Sequence, residues 1–175
     1  MRYDLGCGNN KQQGFTGVDI VTDGTTADIQ FNLLTFPWTF AKDSSVEEVF
    51  CSHFIEHIPH GNGFNDPFFE FFNEVWRILK PGGRAAFITP YYTSIRAFQD
   101  PSHQRFINEG TFAYFDEEWR RENKLLYYPI TTDFKVVNYE YLYHEDYKNI
   151  DVADQQFALK HFWNVGADMK VTLQK

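Results

Sequence analysis

Apolar residues fall along this chain in short bursts at first, then in one stripe of helical spacing, then in alternation. Residues 2–5, 15–20, 27–32 and 46–52 are brief runs rich in Val, Ile, Phe and Tyr, bounded by Gly, Asp, Thr and Ser, which predicts four strands. Thr22-Asp23-Gly24-Thr25-Thr26 and Lys42-Asp43-Ser44-Ser45 are turns by composition, and Pro37 stiffens the loop around Trp38. Phe68, Phe72, Val75 and Leu79 recur at helical spacing. Asp66 is a ready N-cap with Pro67 at the first helical position, and Lys80-Pro81-Gly82-Gly83 is a stop signal. A fifth strand follows over 84–89, mixed helix over 111–123, an alternating aromatic and polar strand over 134–143, a helix over 152–162 and a last strand over 167–173. The sum is an α/β chain.

The first chemistry lies at the end of the first strand. Gly6 and Gly8 flank Cys7, and neither glycine has a Cβ to bar a tight turn or a close ligand. Asp19, at the end of the second strand, is an acceptor-only side chain suited to both hydroxyls of a ribose. Nicotinamide enzymes place a third glycine in this loop and an acid about 20 residues further on. Here the third glycine is missing and the acid comes 11 positions after Gly8. That leaves little room for a pyrophosphate-binding helix, so a nucleoside without phosphates suits the loop better.

Five segments in order carry a resemblance. They are Asp4-Leu5-Gly6-Cys7-Gly8, Gly17-Val18-Asp19-Ile20, Ala27-Asp28-Ile29-Gln30-Phe31-Asn32-Leu33, Ser52-His53-Phe54-Ile55-Glu56-His57-Ile58, and Val75-Trp76-Arg77-Ile78-Leu79-Lys80-Pro81-Gly82-Gly83-Arg84. Together they resemble the class I S-adenosylmethionine-dependent methyltransferases, of the small bacterial and phage kind, over residues 1 to about 90. The resemblance implies a Rossmann-like, doubly wound, mostly parallel sheet, with the last two strands as an antiparallel hairpin at its edge. It implies one domain over residues 1–175 with a variable substrate-side insertion around 90–133. It makes Asp4, Gly6, Cys7, Gly8, Asp19, Ile20, Asn32, Leu33, Ser52 and His53 candidates for holding S-adenosylmethionine. Asn32 and Leu33 would lie by adenine, Ser52 and His53 by the methionine part. Relatives often place Asp where Asn32 stands, and an amide carbonyl can still accept from the adenine amine. Many relatives also carry a helix ahead of the first strand; this sequence starts at that strand, so another chain could supply the wall, or the protein does without it.

The acceptor side has fewer signals. Tyr91 and Tyr92 leave the fifth strand at its ligand end, and Asp100-Pro101-Ser102-His103-Gln104-Arg105 puts an acid, an imidazole and a guanidinium together. These groups could supply a base and an anion clamp, or a capped turn. His103, His53 and Asp100 are the candidate bases, in that order; His57, Tyr91, Tyr92 and Arg105 are the candidate acceptor contacts.

His53-x-x-Glu56-His57 also matches an inverted zinc-protease pattern. Pro59 would interrupt the required helix and no clear third ligand follows, so no metal is expected and zinc hydrolysis ranks behind methyl transfer. A cofactor-binding module without transfer activity is a further alternative. The net charge of −8, with no Lys/Arg cluster, makes nucleic acid a poor partner and favours a small-molecule acceptor. Two cysteines and no apolar run of membrane-spanning length point to a reducing, cytoplasmic setting, with a homo-oligomer or partner chain left open.

Overall fold

The computed structural model describes residues 1–175. Seven strands form one sheet: β1 (Arg2–Leu5), β2 (Thr16–Asp19), β3 (Ile29–Gln30), β4 (Val46–Ser52), β5 (Leu79–Pro90), β6 (Lys135–Tyr143) and β7 (Gly166–Gln174). Their order is β3-β2-β1-β4-β5-β7-β6. β1 to β5 pair in parallel, whereas β7 runs antiparallel between β5 and β6. The expected edge hairpin is therefore present. The chain winds outward one way from β1 to β3 and the other way from β4. This switch opens a crevice at the C-terminal ends of β1 and β4, where such sheets bind ligands.

Helix α1 (Pro67–Ile78) starts as its sequence dictates: the Asp66 side chain accepts from the Phe68 amide, with Pro67 next in line. It ends one residue earlier than its apolar stripe. Leu79 is extended and opens β5, so Lys80 to Gly83 lie in a strand rather than a turn. Pairing with β4 explains this: Val46 sits opposite Leu79, and a register shift then sets Glu48 opposite Arg84. Short helices α2 (Arg96–Gln99), α3 (Glu109–Ala113) and α4 (Glu117–Glu122) join β5 to β6, and α5 (Val152–His161) joins β6 to β7. No helix is long and apolar enough to cross a membrane.

The core lies between the sheet and α1 with α3. Alternate strand residues Leu5, Val49, Cys51, Phe87 and Val171 face Phe71, Phe72, Val75, Phe112 and Phe115, all at most 2% exposed. Phe72 stacks on Phe115 with ring centroids 4.0 Å apart and touches Phe87 at 5.0 Å. Each such ring contributes roughly 1.5–3 kcal/mol by burial. The other sheet face is covered differently. No helix intervenes between β1 and β2, β2 and β3, or β3 and β4. Instead the loop after β1 lays Phe15 against Phe50 at 6.3 Å, and Ala86, Ile88 and Thr172 beside it are only half-buried. Eleven positions from Gly8 to Asp19 are too few for a packed helix and a return strand, so the second winding is made of loops.

β3 keeps two of the six residues expected. The flanking polar groups find local partners instead. Asp28 accepts from the Gly17 amide at 2.7 Å and pairs with Lys11 at 2.8 Å, and Asn32 Oδ1 accepts from the Leu34 amide at 2.9 Å.

Candidate functional site

A cleft of about 380 Å³ opens at the crevice, walled by Gly6, Asp19, Asn32, Leu33, His53 and His57, with Ile20, Phe31, Leu34, Phe54 and Ile58 between them. The loop after β1 builds its floor. Gly6 (φ +69°) donates to the Val18 carbonyl at 2.8 Å, and Gly8 (φ +48°) donates its amide to Asp19 Oδ2 at 2.9 Å. A second amide, Val21, reaches Asp19 Oδ1 at 3.3 Å. Asp19 is thus locked at the cleft edge with further lone pairs free for a ligand.

Asp4 and Cys7 support this loop from beneath rather than line the cleft. Asp4 is 1% exposed and its Oδ2 accepts from the Gln12 amide at 2.6 Å. Burial pushes its carboxyl above the usual range, opposed by the Gln12 bond and by Lys11. Cys7 is buried toward Gly17, where a Cβ would stand 2.7 Å from its sulfur; burial raises the thiol, with Asp4 adding to the effect. Cys51 is also free and buried. Ser52 is half-buried at the end of β4 and does not line the cleft. On the far wall Asn32 is exposed and Leu33 buried, and the Leu33 carbonyl takes the Trp38 indole N–H at 2.9 Å. Trp38 is fixed in turn by Glu74 of α1, which accepts from its amide at 2.6 Å.

The turn after β4 carries most of the polar chemistry. His53 has φ +54°, a conformation costing a non-glycine residue about 1–2 kcal/mol. It is held there by its amide bond to Ile88 O at 2.8 Å and by Nδ1 contacting Glu56 Oε1 at 3.2 Å. That contact to Glu56 raises the imidazole above its usual pKa, against the effect of burial. Glu56 is 1% exposed, and its Oε2 accepts from the Thr89 hydroxyl at 3.2 Å. Asp168, from β7, is 5% exposed. One of its oxygens takes Arg96 at 2.9 Å; the other lies 3.9 Å from His53 Nε2 and accepts no hydrogen bond. Burial raises the Asp168 carboxyl, with Arg96 opposing.

The 100–105 segment docks on this turn through its backbone, since the Gln104 and Arg105 amides donate to the Glu56 carbonyl at 2.8 and 3.1 Å. His103 comes to rest edge-on to His57, ring centroids 4.6 Å apart, with Nδ1 on the Ala97 carbonyl at 3.1 Å. Asp100 accepts from the Ser102 hydroxyl at 2.6 Å, and that oxygen meets His57 Nδ1 at 3.0 Å. Hydrogen bonds to Ser102 hold the Asp100 carboxyl below its usual range. Asp100 therefore reaches the cleft only through Ser102 and His57.

Two expected acceptor contacts are engaged elsewhere. Arg105 donates to the Ile58 and Pro59 carbonyls and to Asp66, at 2.8, 2.6 and 2.6 Å, and lies over the Phe68 ring at 4.5 Å. Its guanidinium is a tether between loops, not a free anion clamp. Tyr91 is buried and its hydroxyl donates to Glu109 at 3.1 Å, away from the cleft, while Tyr92 is 37% exposed against it. The H-x-x-E-H residues do not form a zinc-protease helix: Ile55–His57 is a single 3-10 turn, and His53 faces Glu56 rather than sharing a site with His57. Asp168 and Arg96 carried no local signal in the sequence. The β5–β7 pairing, with Pro90 opposite Asp168, brings Asp168 to the site, and Arg96 reaches it from α2.

No protein-family model matches the sequence, and no curated protein matches it. Solved structures do match the fold. A SAM-dependent methyltransferase from Archaeoglobus fulgidus superposes with a TM-score of 0.64 at 19% identity, over 99% of this chain and 85% of that one. A Haloferax volcanii chain solved with the Trm112 methyltransferase activator gives 0.56 at 16% identity, over 99% and 81%. The [4+2]-cyclase SpnF gives 0.55 at 14% identity, over 99% and 74%. The fold is that of the class I methyltransferases, and SpnF shows that it also serves another reaction. Activity has to be argued from the site.

Proposed function

We propose that the cleft binds S-adenosylmethionine and that the protein transfers its methyl group to a small-molecule acceptor. The observation that carries this reading is Asp19: a carboxylate at the switch-point crevice, fixed by the amide of a glycine loop too short for a pyrophosphate helix. The residues present fit a nucleoside donor. Nothing lies within 4 Å of where a Gly8 Cβ would stand, so a ligand can approach the backbone there. Asn32 keeps its amide N–H groups and one lone pair free for an adenine edge, since only Oδ1 is used. When bound, the donor supplies a sulfonium methyl that is already strongly electrophilic.

The protein's part is then alignment and proton removal. His53 lines the cleft and is oriented by Glu56, which makes it the leading base for a hydroxyl acceptor. Asp100 orients His57 through Ser102. Segment 91–134, between β5 and β6, forms the acceptor side, with Tyr92 exposed on it. The net charge of −8 disfavours nucleic acid. A partner chain is a natural extension, since the Haloferax volcanii relative in fold was solved with an activator. Two free, buried cysteines suit a reducing cytoplasm.

The test is calorimetric titration with S-adenosylmethionine, S-adenosylhomocysteine and NADH. The first two should saturate at one site and the third should not bind. Asp19→Ala should weaken donor binding by about 1–3 kcal/mol, the scale for hydrogen bonds to a charged group. NADH binding in place of the donor, or an affinity indifferent to Asp19, would refute the reading.

A further inference from the structure

We propose that Glu56, His57 and His103 form a binding site for one divalent transition-metal ion at the mouth of the cleft. One ligand atom from each of the three lies within 4.8 Å of the others. Donors sharing an ion at about 2.1 Å stand closer than that, so the widest pair must close by roughly an ångström, within reach of a small imidazole rotation.

The hydrogen bonds around the two histidines prepare them as ligands. A carbonyl can only accept, so His103 Nδ1 carries the proton it gives to Ala97 O, and Nε2 holds a lone pair. Ser102 gives its own proton to Asp100, so toward His57 its oxygen accepts; His57 Nδ1 is then protonated and its Nε2 also holds a lone pair. An imidazole whose second nitrogen is fixed by a carbonyl, or by a hydroxyl backed by a carboxylate, is the usual outer arrangement around a bound metal. Glu56 has one lone pair on each oxygen beyond those used by His53 and Thr89.

Charge favours a cation there. Glu56 and Asp168 are two buried carboxylates at the same end of the sheet, with the Arg96 guanidinium and the His53 imidazole as the cationic groups beside them. Two imidazoles and one carboxylate with the other positions open suit a first-row divalent ion rather than calcium or magnesium. The ion would belong to the reaction, an interpretation that rests on the methyl-transfer reading. His57 lines the donor cleft, so the open positions would take an oxygen of the acceptor, which narrows the acceptor to a molecule with an oxygen next to the methylated atom or at it.

Cobalt(II) is the probe, because its visible absorption reports its ligands. It is titrated into chelator-treated protein without any methyl donor, so metal binding and donor binding succeed or fail separately. One equivalent should bind per chain. His103→Ala and Glu56→Gln should each weaken binding at least about tenfold, a scale reached even on losing an outer partner of a metal ligand. His161→Ala, on the exposed α5, should leave it unchanged. Circular dichroism identifies a variant that has unfolded, and His57→Gln then replaces it. Absence of saturable binding, or binding unaffected by His103→Ala and His57→Gln, overturns the proposal.

Discussion

Gly6→Ala should destabilise the protein much more than Gly8→Ala, although both glycines have positive φ in the same loop. At either position an L-residue costs about 1–2 kcal/mol for the left-handed conformation. Gly8 meets nothing further, since no atom lies within 4 Å of its would-be Cβ. At Gly6 the new Cβ would stand 2.7 Å from Cδ2, 2.9 Å from Cγ and 3.0 Å from Cβ of Phe54. Phe54 cannot simply turn away, because its ring packs on Phe71 at 5.5 Å and Phe71 is fully buried. Overpacking of this kind adds about 1–3 kcal/mol. The totals are about 2–5 kcal/mol for Gly6→Ala and about 1–2 for Gly8→Ala. For a chain of this size each kcal/mol lowers Tm by about 2–4 °C. Thermal unfolding followed by circular dichroism should therefore separate the two variants. Phe54 also walls the cleft, so displacing it should weaken S-adenosylhomocysteine binding in the Gly6 variant as well. Equal melting temperatures would show that the Gly6–Phe54 contact does not constrain the loop.

Arg105→Ala should cost about 3 kcal/mol, because it strands Asp66 and two carbonyls in a largely buried setting, and Arg105→Lys should recover little since an ammonium cannot reproduce the fork; urea unfolding of both variants measures this, and full rescue by lysine would contradict it. Glu74→Ala should remove the anchor of Trp38 and the partner of Arg77, destabilising by about 1.5–3 kcal/mol and shifting the tryptophan emission as the Leu33–Trp38 loop loosens; an unchanged spectrum would count against the anchor. Asp4 predicts a pH dependence. Burial raises its folded-state carboxyl above the unfolded value, so its charge is a penalty on the native state. That penalty is absent below the unfolded pKa of about 4, grows as pH rises to the folded value and is constant above it. Asp4→Asn keeps an acceptor for the Gln12 amide without titrating. Wild type should lose stability relative to this variant between about pH 4 and its raised pKa, read as urea midpoints, and a wild type that gains on the variant as pH rises would show the sign to be wrong.

The Gly6–Asp19 side of the cleft was legible in the sequence because it is assembled from neighbours. Gly8 and Asp19 are 11 positions apart, and Asp4 and Gln12 are 8 apart. A glycine turn between two strands and an acid at the second strand's end admit few arrangements, so residue types and spacing come close to specifying the geometry. β4 was legible for a related reason: Val46 to Ser52 has a buried residue at Val46, Val49 and Cys51 and clear turn residues before it. The Gly8-to-Asp19 spacing left little room for a helix, and none forms between β1 and β2. The boundary of α1 did not, since nothing local to Leu79 announces that it will pair with Val46.

The 100–105 side of the cleft is built by the opposite principle. His57 meets Ser102 across 45 positions, Arg105 reaches Ile58 and Pro59 across 47 and 46, and Asp168 arrives only through β7. Residue types in Asp100 to Arg105 suggested a base and an anion clamp, or a capped turn, and the turn is present, with the Ser102 amide donating to Asp100 Oδ1 at 2.8 Å. The fold instead spends Arg105 on holding the segment down, and His103 and Asp100 act on or beside His57. A short motif cannot reveal this, because which of its polar groups remain free is decided by the backbone carbonyls it docks against. The same division predicts how the two halves respond to change. Substitutions in the Gly6–Asp19 loop should alter the cleft and stability together, since its hydrogen bonds shape both. Substitutions at His103 or Ser102 alter the mouth of the cleft while every bond that fixes Asp19 stays in place. A chain built this way can change the mouth of the cleft without disturbing the loop that fixes Asp19.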